Sequence, residues 1–264
     1  MIDTLTATAP DGVKVVARHA RSRGNPALVF VHGVGSTAAI WDYQLNTLCD
    51  AFDCYAIELR GNGVTAVADP ASITRAGFVE DVLAIADANG IERTHFVGCS
   101  LGGVVGFELW KRVPQRLRSL TFAGSFAAYP GAQAYADSVK AAARSAGTMD
   151  AFARERAAKL GMPPGARTDE TIAQMACKSI DDYLASTQAT WTGDYRSLLA
   201  SISAPVMVVV GERDTVAPIA LGQEIADGIP HARFEVVAAA GHVTNADAPA
   251  AFDALLRDFL GTLT

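Results

Sequence analysis

Ala27-Leu28-Val29-Phe30-Val31 is apolar at every position and stops at His32-Gly33. A run so short and so uninterrupted reads as a strand buried on both faces, the kind that parallel sheets use. Further strands are read at Tyr55-Ala56-Ile57, Thr94-His95-Phe96-Val97, Leu117 to Ala123, Pro205 to Gly211 and Phe234 to Val237. Stretches with helical spacing lie between these runs. Ile40, Trp41, Leu45 and Leu48 fall on one face of a helix over Ala38 to Cys49, and Phe78, Val82, Leu83, Ile85 and Ala86 form a stripe that Asn89-Gly90 ends. Leu101 to Val113 predicts a helix terminated by Pro114, and Ile219 to Ala226 and Ala250 to Leu260 predict two more. Such alternation predicts an α/β chain with a mostly parallel central sheet and helices on both faces. Thr4 to Thr8 and Val13 to Arg18 depart from it: Asp11-Gly12 joins them, a hairpin signature that predicts an antiparallel edge.

The rhythm breaks after Gly124. From Ser125 to about Ser201 the chain is Ala-rich and helix-prone, with Pro163-Pro164-Gly165 as a breaker. A helical insert between two strands predicts a lid over the carboxyl ends of the sheet, where open α/β sheets bind ligands. With no repeat or low-complexity linker, we read 1–264 as one domain, with a core over 1–124 and 202–264 and a lid over 125–201. Half of the 264 residues are apolar, enough for a substantial core.

A net charge of -6 without any Lys/Arg stripe argues against nucleic acid or anionic membranes as partners. Cys49, Cys54, Cys99 and Cys177 lack metal or redox spacing and are expected to be reduced thiols. Met1-Ile2-Asp3-Thr4 carries an acid where a signal peptide has a basic start, and no stretch has the length of a membrane span. A cytoplasmic protein acting on a small molecule, without cofactor or metal, is the expectation.

Gly98-Cys99-Ser100-Leu101-Gly102 follows one predicted strand and opens one predicted helix. A serine at so sharp a turn projects its hydroxyl above the sheet, and glycines two residues either side avoid collisions. The new helix aims its amides at the site. An ordinary structural turn is the rival reading. A serine needs a base to become a nucleophile. His242, in the loop between the last strand and the last helix, opens onto the same sheet edge; His19, His95 and His231 do not, and His32 suits a structural hydrogen-bonding role. The acid that orients the histidine is sought in Gly211-Glu212-Arg213-Asp214. Asp214 is favoured because it lies further past the strand end; Glu212 is expected to pair with Arg213 or solvent, and Asp247 to start a helix. The backbone N–H groups of Leu101 and Val34, the latter in His32-Gly33-Val34-Gly35-Ser36, are candidate donors to an oxyanion.

These segments, with Arg60-Gly61-Asn62-Gly63, fall in the order of the α/β-hydrolase superfamily, which the chain resembles over almost its whole length. Trp41-Asp42-Tyr43-Gln44 and Gly241-His242-Val243-Thr244-Asn245 look like the 3-oxoadipate enol-lactonase group and its esterase neighbours. Glu58, Arg60 and Asn62 stand where Asp-x-Arg-Gly-His-Gly is commoner. The resemblance implies an α/β-hydrolase fold with the lid after the sixth strand. It also implies a Ser100-His242-Asp214 triad that cleaves a small carboxylic ester or enol-lactone. A lactonase acting on an acid needs a cation; Arg144, Arg154, Arg156 and Arg167 fall in the insert, and any of them is equally a solvated charge. Trp191, Phe126, Tyr129 and Tyr183 are candidates for the pocket or for core packing. Related chemistries stay open: carbon–carbon cleavage of a dienoic ring-fission product, cofactor-free perhydrolase or haloperoxidase activity, and a non-enzymatic receptor on a hydrolase fold.

Overall fold

A computed structural model describes residues 1–22, 24–159 and 165–263. The chain begins with β1 (Asp3–Thr8) and β2 (Lys14–Ala20), an antiparallel hairpin whose register runs from Thr8 opposite Lys14 to Asp3 opposite His19. It continues through β3 (Ala27–Val31), α1 (Asp42–Leu48), β4 (Asp53–Glu58), α2 (Arg75–Ala88), β5 (Thr94–Cys99), α3 (Leu101–Arg112) and β6 (Leu117–Ala123). After the insert come β7 (Val206–Gly211) and β8 (Arg233–Val237). All eight strands form one sheet in the order β1-β2-β4-β3-β5-β6-β7-β8. β2 runs antiparallel to β4, and every pair from β4 to β8 is parallel.

The uninterrupted apolar runs are explained by burial on two sides. Val29 and Val31 of β3, with Val206, Val208 and Val210 of β7, join one core cluster; Leu28, Phe30, Met207 and Val209 join another. A strand alternates its side chains between faces, so each run must be apolar throughout. α2 and α3 cover the first face, and α1 packs on the second. The helix expected over Ala38 to Cys49 divides into a 3₁₀ turn (Ala38–Trp41) and α1. There the Glu58 carboxylate accepts from Ala38 N at 3.1 Å, and the Trp41 ring lies 4.9 Å from Phe30 and 6.0 Å from Phe252.

Between β6 and β7 lie α4 (Ala132–Ala146), α5 (Met149–Lys159), α6 (Ala166–Ala176), α7 (Ile180–Trp191) and α8 (Arg196–Leu199). Among the described residues this insert holds no strand, only a single bridge of Ala128 to Asp194. Pro163 and Pro164, read as a breaker, lie outside the described residues. The chain closes with α9 (Ile219–Gly228) on the α2/α3 side, the short α10 (Thr244–Asp247), and α11 (Pro249–Gly261) on the α1 side. No helix of the described residues is long and apolar enough to cross a membrane.

Candidate active site

Ser100 sits between β5 and α3 with φ 53° and ψ −107°. A non-glycine residue held there stores about 1–3 kcal/mol of strain, so the surroundings must over-determine it. Its N–H donates to Ala123 O at 2.9 Å, and its carbonyl accepts from Gly103 N at 2.8 Å. The flanking glycines behave as the sequence predicts: a Cβ at Gly98 would fall inside the Gly102 backbone, and one at Gly102 inside the Val31 carbonyl. Ser100 is 2% exposed, and its hydroxyl makes no hydrogen bond among the described residues.

His242 and Asp214 reach the same sheet edge from the loops after β8 and β7. His242 Nδ1 and Asp214 Oδ2 lie 2.8 Å apart. The other carboxylate oxygen, Oδ1, accepts from Val216 N and Ala217 N, each at 2.8 Å. Three polar contacts thus hold a carboxylate whose side chain is fully buried, while the imidazole keeps 19% exposure. Gly124, at the end of β6, ties the serine to this pair. A Cβ placed there would lie 2.6 Å from His242 O, 3.2 Å from His242 Nδ1 and 3.4 Å from Asp214 Oδ2, one residue after the carbonyl that holds Ser100 N.

The acid and histidine loops are laced together by backbone. Glu212 N donates to Val237 O at 3.0 Å, and Arg213 N to Ala240 O at 2.8 Å. Glu212, expected to meet Arg213 or solvent, is exposed, and its carboxylate also accepts from Ala239 N at 2.8 Å. Asp247, expected to start a helix, ends α10 and accepts from Gly241 N at 2.9 Å. Both contacts share one reason. A tight loop leaves amides without partners, and a carboxylate across the loop can accept from them. Gln44 braces the loop from behind, donating to Asn245 O at 3.1 Å, and Asn245 donates to Ile40 O at 2.9 Å. The Trp41-to-Gln44 and Gly241-to-Asn245 segments therefore touch one another.

His32 controls the glycine loop. Leu59 N donates to its Nε2 at 3.1 Å, so Nδ1 must carry the proton that meets Gly33 O at 2.8 Å. Burial pushes its pKa down to about 3, keeping it neutral. Ser36 N donates to the same carbonyl. Gly33 O and Val34 N belong to one trans peptide, so holding the carbonyl aims the Val34 N–H the opposite way. Neither Val34 N nor Leu101 N makes a hydrogen bond among the described residues. The glycine loop backs directly on the serine: a Cβ at Gly33 would stand 3.4 Å from Ser100 Cβ.

Above this floor, Phe126 and Trp191 are each 1% exposed and stack at 5.1 Å; Tyr129 meets both edge-on. Phe126 and Trp191 belong to the large core cluster, and Tyr129 packs against it. The Tyr129 hydroxyl donates to Val216 O at 3.1 Å, reaching the acid loop. Of the arginines in the insert, Arg144 is exposed, Arg154 pairs with Asp150 on the surface, and Arg156 is partly buried; the Arg167 side chain lies outside the described residues. One residue carried no sequence signal. Lys178 is 7% exposed, and its ammonium donates to Gly61 O at 3.4 Å and to Asn62 Oδ1, fastening the insert to the loop after β4. Burial pulls its pKa down to about 7. Among the described residues no group of His, Cys, Asp and Glu could hold a metal ion.

Comparison with known proteins agrees with this architecture. The chain is 30% identical over 243 residues to 3-oxoadipate enol-lactonase 1 of Acinetobacter baylyi, covering 90% of each chain. It superposes on a hydrolase from Pseudomonas aeruginosa with a TM-score of 0.90 at 32% identity, covering 98% of both chains. The enol-lactonase of Burkholderia xenovorans shares the fold, with a TM-score of 0.84 at 23% identity over 97% of this chain and 100% of that one. A family model described as the alpha/beta hydrolase fold matches residues 26–249, and the chain belongs to that family.

Proposed function

We propose that this protein is a serine hydrolase of small carboxylic esters or enol-lactones, working through an acyl-enzyme on Ser100. The observation that carries this reading is the shared sheet edge. A carboxylate fixed by two amides holds His242 Nδ1, and Ala123-Gly124 touches both that pair and the Ser100 backbone. The enol-lactonase relative supports the choice of substrate.

Each step then has a residue. Asp214 accepts from His242 Nδ1–H and leaves Nε2 free to take a proton. Ser100 Oγ gives up its proton to Nε2 and attacks the carbonyl carbon. The first step needs rotation of the Ser100 hydroxyl toward the imidazole, since resting catalytic hydrogen bonds often tighten only with substrate bound. Negative charge on the former carbonyl oxygen meets the N–H groups of Leu101 and Val34. Preorganised donors of this kind are worth about 3–4 kcal/mol of barrier. His242 passes the proton to the leaving oxygen, and water repeats the sequence on the acyl-enzyme. Helices α4 to α8 serve as a lid, which excludes bulk water and strengthens these interactions. Ser100→Ala is expected to abolish turnover of p-nitrophenyl acetate, and full retention refutes the assignment.

A further inference from the structure

We propose that the corner between α6 and α7, acting through Lys178 and Gln174, holds the Val34 amide in its working direction, so that seating the insert and assembling the oxyanion hole are one event. Gln174 and Met175 lie in the last turn of α6, Tyr183 in the first turn of α7, and Lys178 between the two helices. This corner rests directly on the glycine loop. A Cβ at Gly35 would stand 2.6 Å from Met175 Cε and 3.4 Å from Tyr183 Cε2.

The direction of the Val34 N–H is set by the carbonyl at the other end of its peptide, Gly33 O. That oxygen accepts from two donors, His32 Nδ1 at 2.8 Å and Ser36 N at 3.2 Å. Both donors lead back to the corner. On one side, the Ser36 hydroxyl donates to Gln174 Oε1 at 3.0 Å. On the other, His32 Nε2 accepts from Leu59 N at 3.1 Å, and Asn62 Nδ2 donates to Leu59 O at 3.0 Å and to Arg60 O at 2.9 Å. With its NH₂ committed to two carbonyls, the Asn62 amide turns its oxygen to Lys178 Nζ.

No step of the mechanism uses Lys178 itself. Burying an ammonium costs free energy unless it is hydrogen-bonded. This one is buried against two neutral acceptors, Gly61 O at 3.4 Å and Asn62 Oδ1. An apolar side chain of similar volume would fill the space without that cost. What the ammonium adds is a tie between the insert and the loop after β4. Without it Asn62 Oδ1 loses this donor, the amide that braces Leu59 loses its fixed orientation, and His32 loses the rigid backbone behind its Nε2. The Gly33 carbonyl is then left with one of its two supports.

The kinetic arm of the test rests on the hydrolase reading above; the exchange arm does not. An oxyanion forms in acylation and again in deacylation, so a misdirected Val34 amide slows both steps and leaves their ratio, and with it KM, near the natural value. A lid that merely covers substrate would raise KM when loosened. Lys178→Met keeps the side-chain length and removes the ammonium. With p-nitrophenyl acetate its kcat should fall about 10- to 100-fold, with KM within about threefold. Gln174→Leu, which cuts the Ser36 line instead, should lower kcat in the same way and carries the test if Lys178→Met does not fold. Lys140→Met removes an insert lysine that meets Gln188 of α7 rather than either loop, and should keep kcat within about twofold. In the exchange arm, the Leu59 and Ser36 amides of Lys178→Met should exchange hydrogen about tenfold faster, while the amides around Ser100 keep their natural rates. An unchanged kcat in both loop variants overturns the proposal, as does an equal loss in Lys140→Met or exchange that quickens only inside the insert. Turnover that survives Ser100→Ala would sink the hydrolase reading alone, and the exchange rates would still decide whether the corner holds the Val34 peptide.

Discussion

Replacing Asp214 by Asn changes almost no volume, yet should disable the base. Oδ1 of Asp214 accepts from two backbone amides, and Oδ2 faces His242 Nδ1. In Asp214→Asn the amide oxygen stays on the two N–H groups, which turns the NH₂ toward Nδ1. The imidazole must then accept at Nδ1 and carry its proton on Nε2, the nitrogen needed to receive the proton of Ser100. Flipping the amide restores the tautomer but leaves the Val216 and Ala217 N–H groups facing an NH₂. Two buried donors left unsatisfied cost about 1–3 kcal/mol each, or about 2–6 kcal/mol together. At about 1.4 kcal/mol per decade, the productive arrangement is populated about 30- to 10⁴-fold less, and kcat/KM should fall accordingly. The assay is p-nitrophenyl acetate hydrolysis at neutral pH, with circular dichroism to show that the variant is folded. A folded Asp214→Asn protein within tenfold of the natural rate refutes the reasoning.

Gly124→Ala should strike the same pair from the sheet side. Gly124 has φ +52°, and a Cβ there meets His242 and Asp214 at 2.6 to 3.4 Å. Displacing the imidazole by a fraction of an ångström should cost about 10- to 100-fold in kcat, and an unchanged kcat in a folded variant contradicts it. Acid stability offers an independent check away from the site. Burial pushes the pKa of His95 down to about 4, against 6.5 for an unburied histidine. Folded His95 therefore stays neutral while the unfolded chain takes up the proton, so its contribution is intact above about pH 6.5 and declines as pH falls toward 4. Relative to His95→Gln, the natural protein should lose about 3 kcal/mol across that window in urea titrations; a constant difference refutes this.

The strands and the elbow were legible because their signals are local. β3 ends where its apolar run ends, β6 stops at Ala123 just before Gly124, and the Ser100 turn needs only five consecutive residues and a change of period on either side. Asp214 and His242 follow predicted strands, and their loops meet in a 2.8 Å contact. Roles that depend on partners far along the chain were not legible. Lys178 meets Asn62 across 116 residues, Gln44 meets Asn245 across 201, and Arg60 closes on Asp11 across 49. Nothing in the spacing of Glu212 or Asp247 reveals that each caps an amide of the histidine loop.

The central claim is that the hydroxyl at 100 is activated by the imidazole at 242. Reaction with a fluorophosphonate, followed by peptide mapping, tests it without any choice of substrate. The account predicts a stoichiometric adduct on Ser100 in the natural protein and its near absence in His242→Ala. An unlabelled serine, or labelling that survives loss of the imidazole, would contradict it.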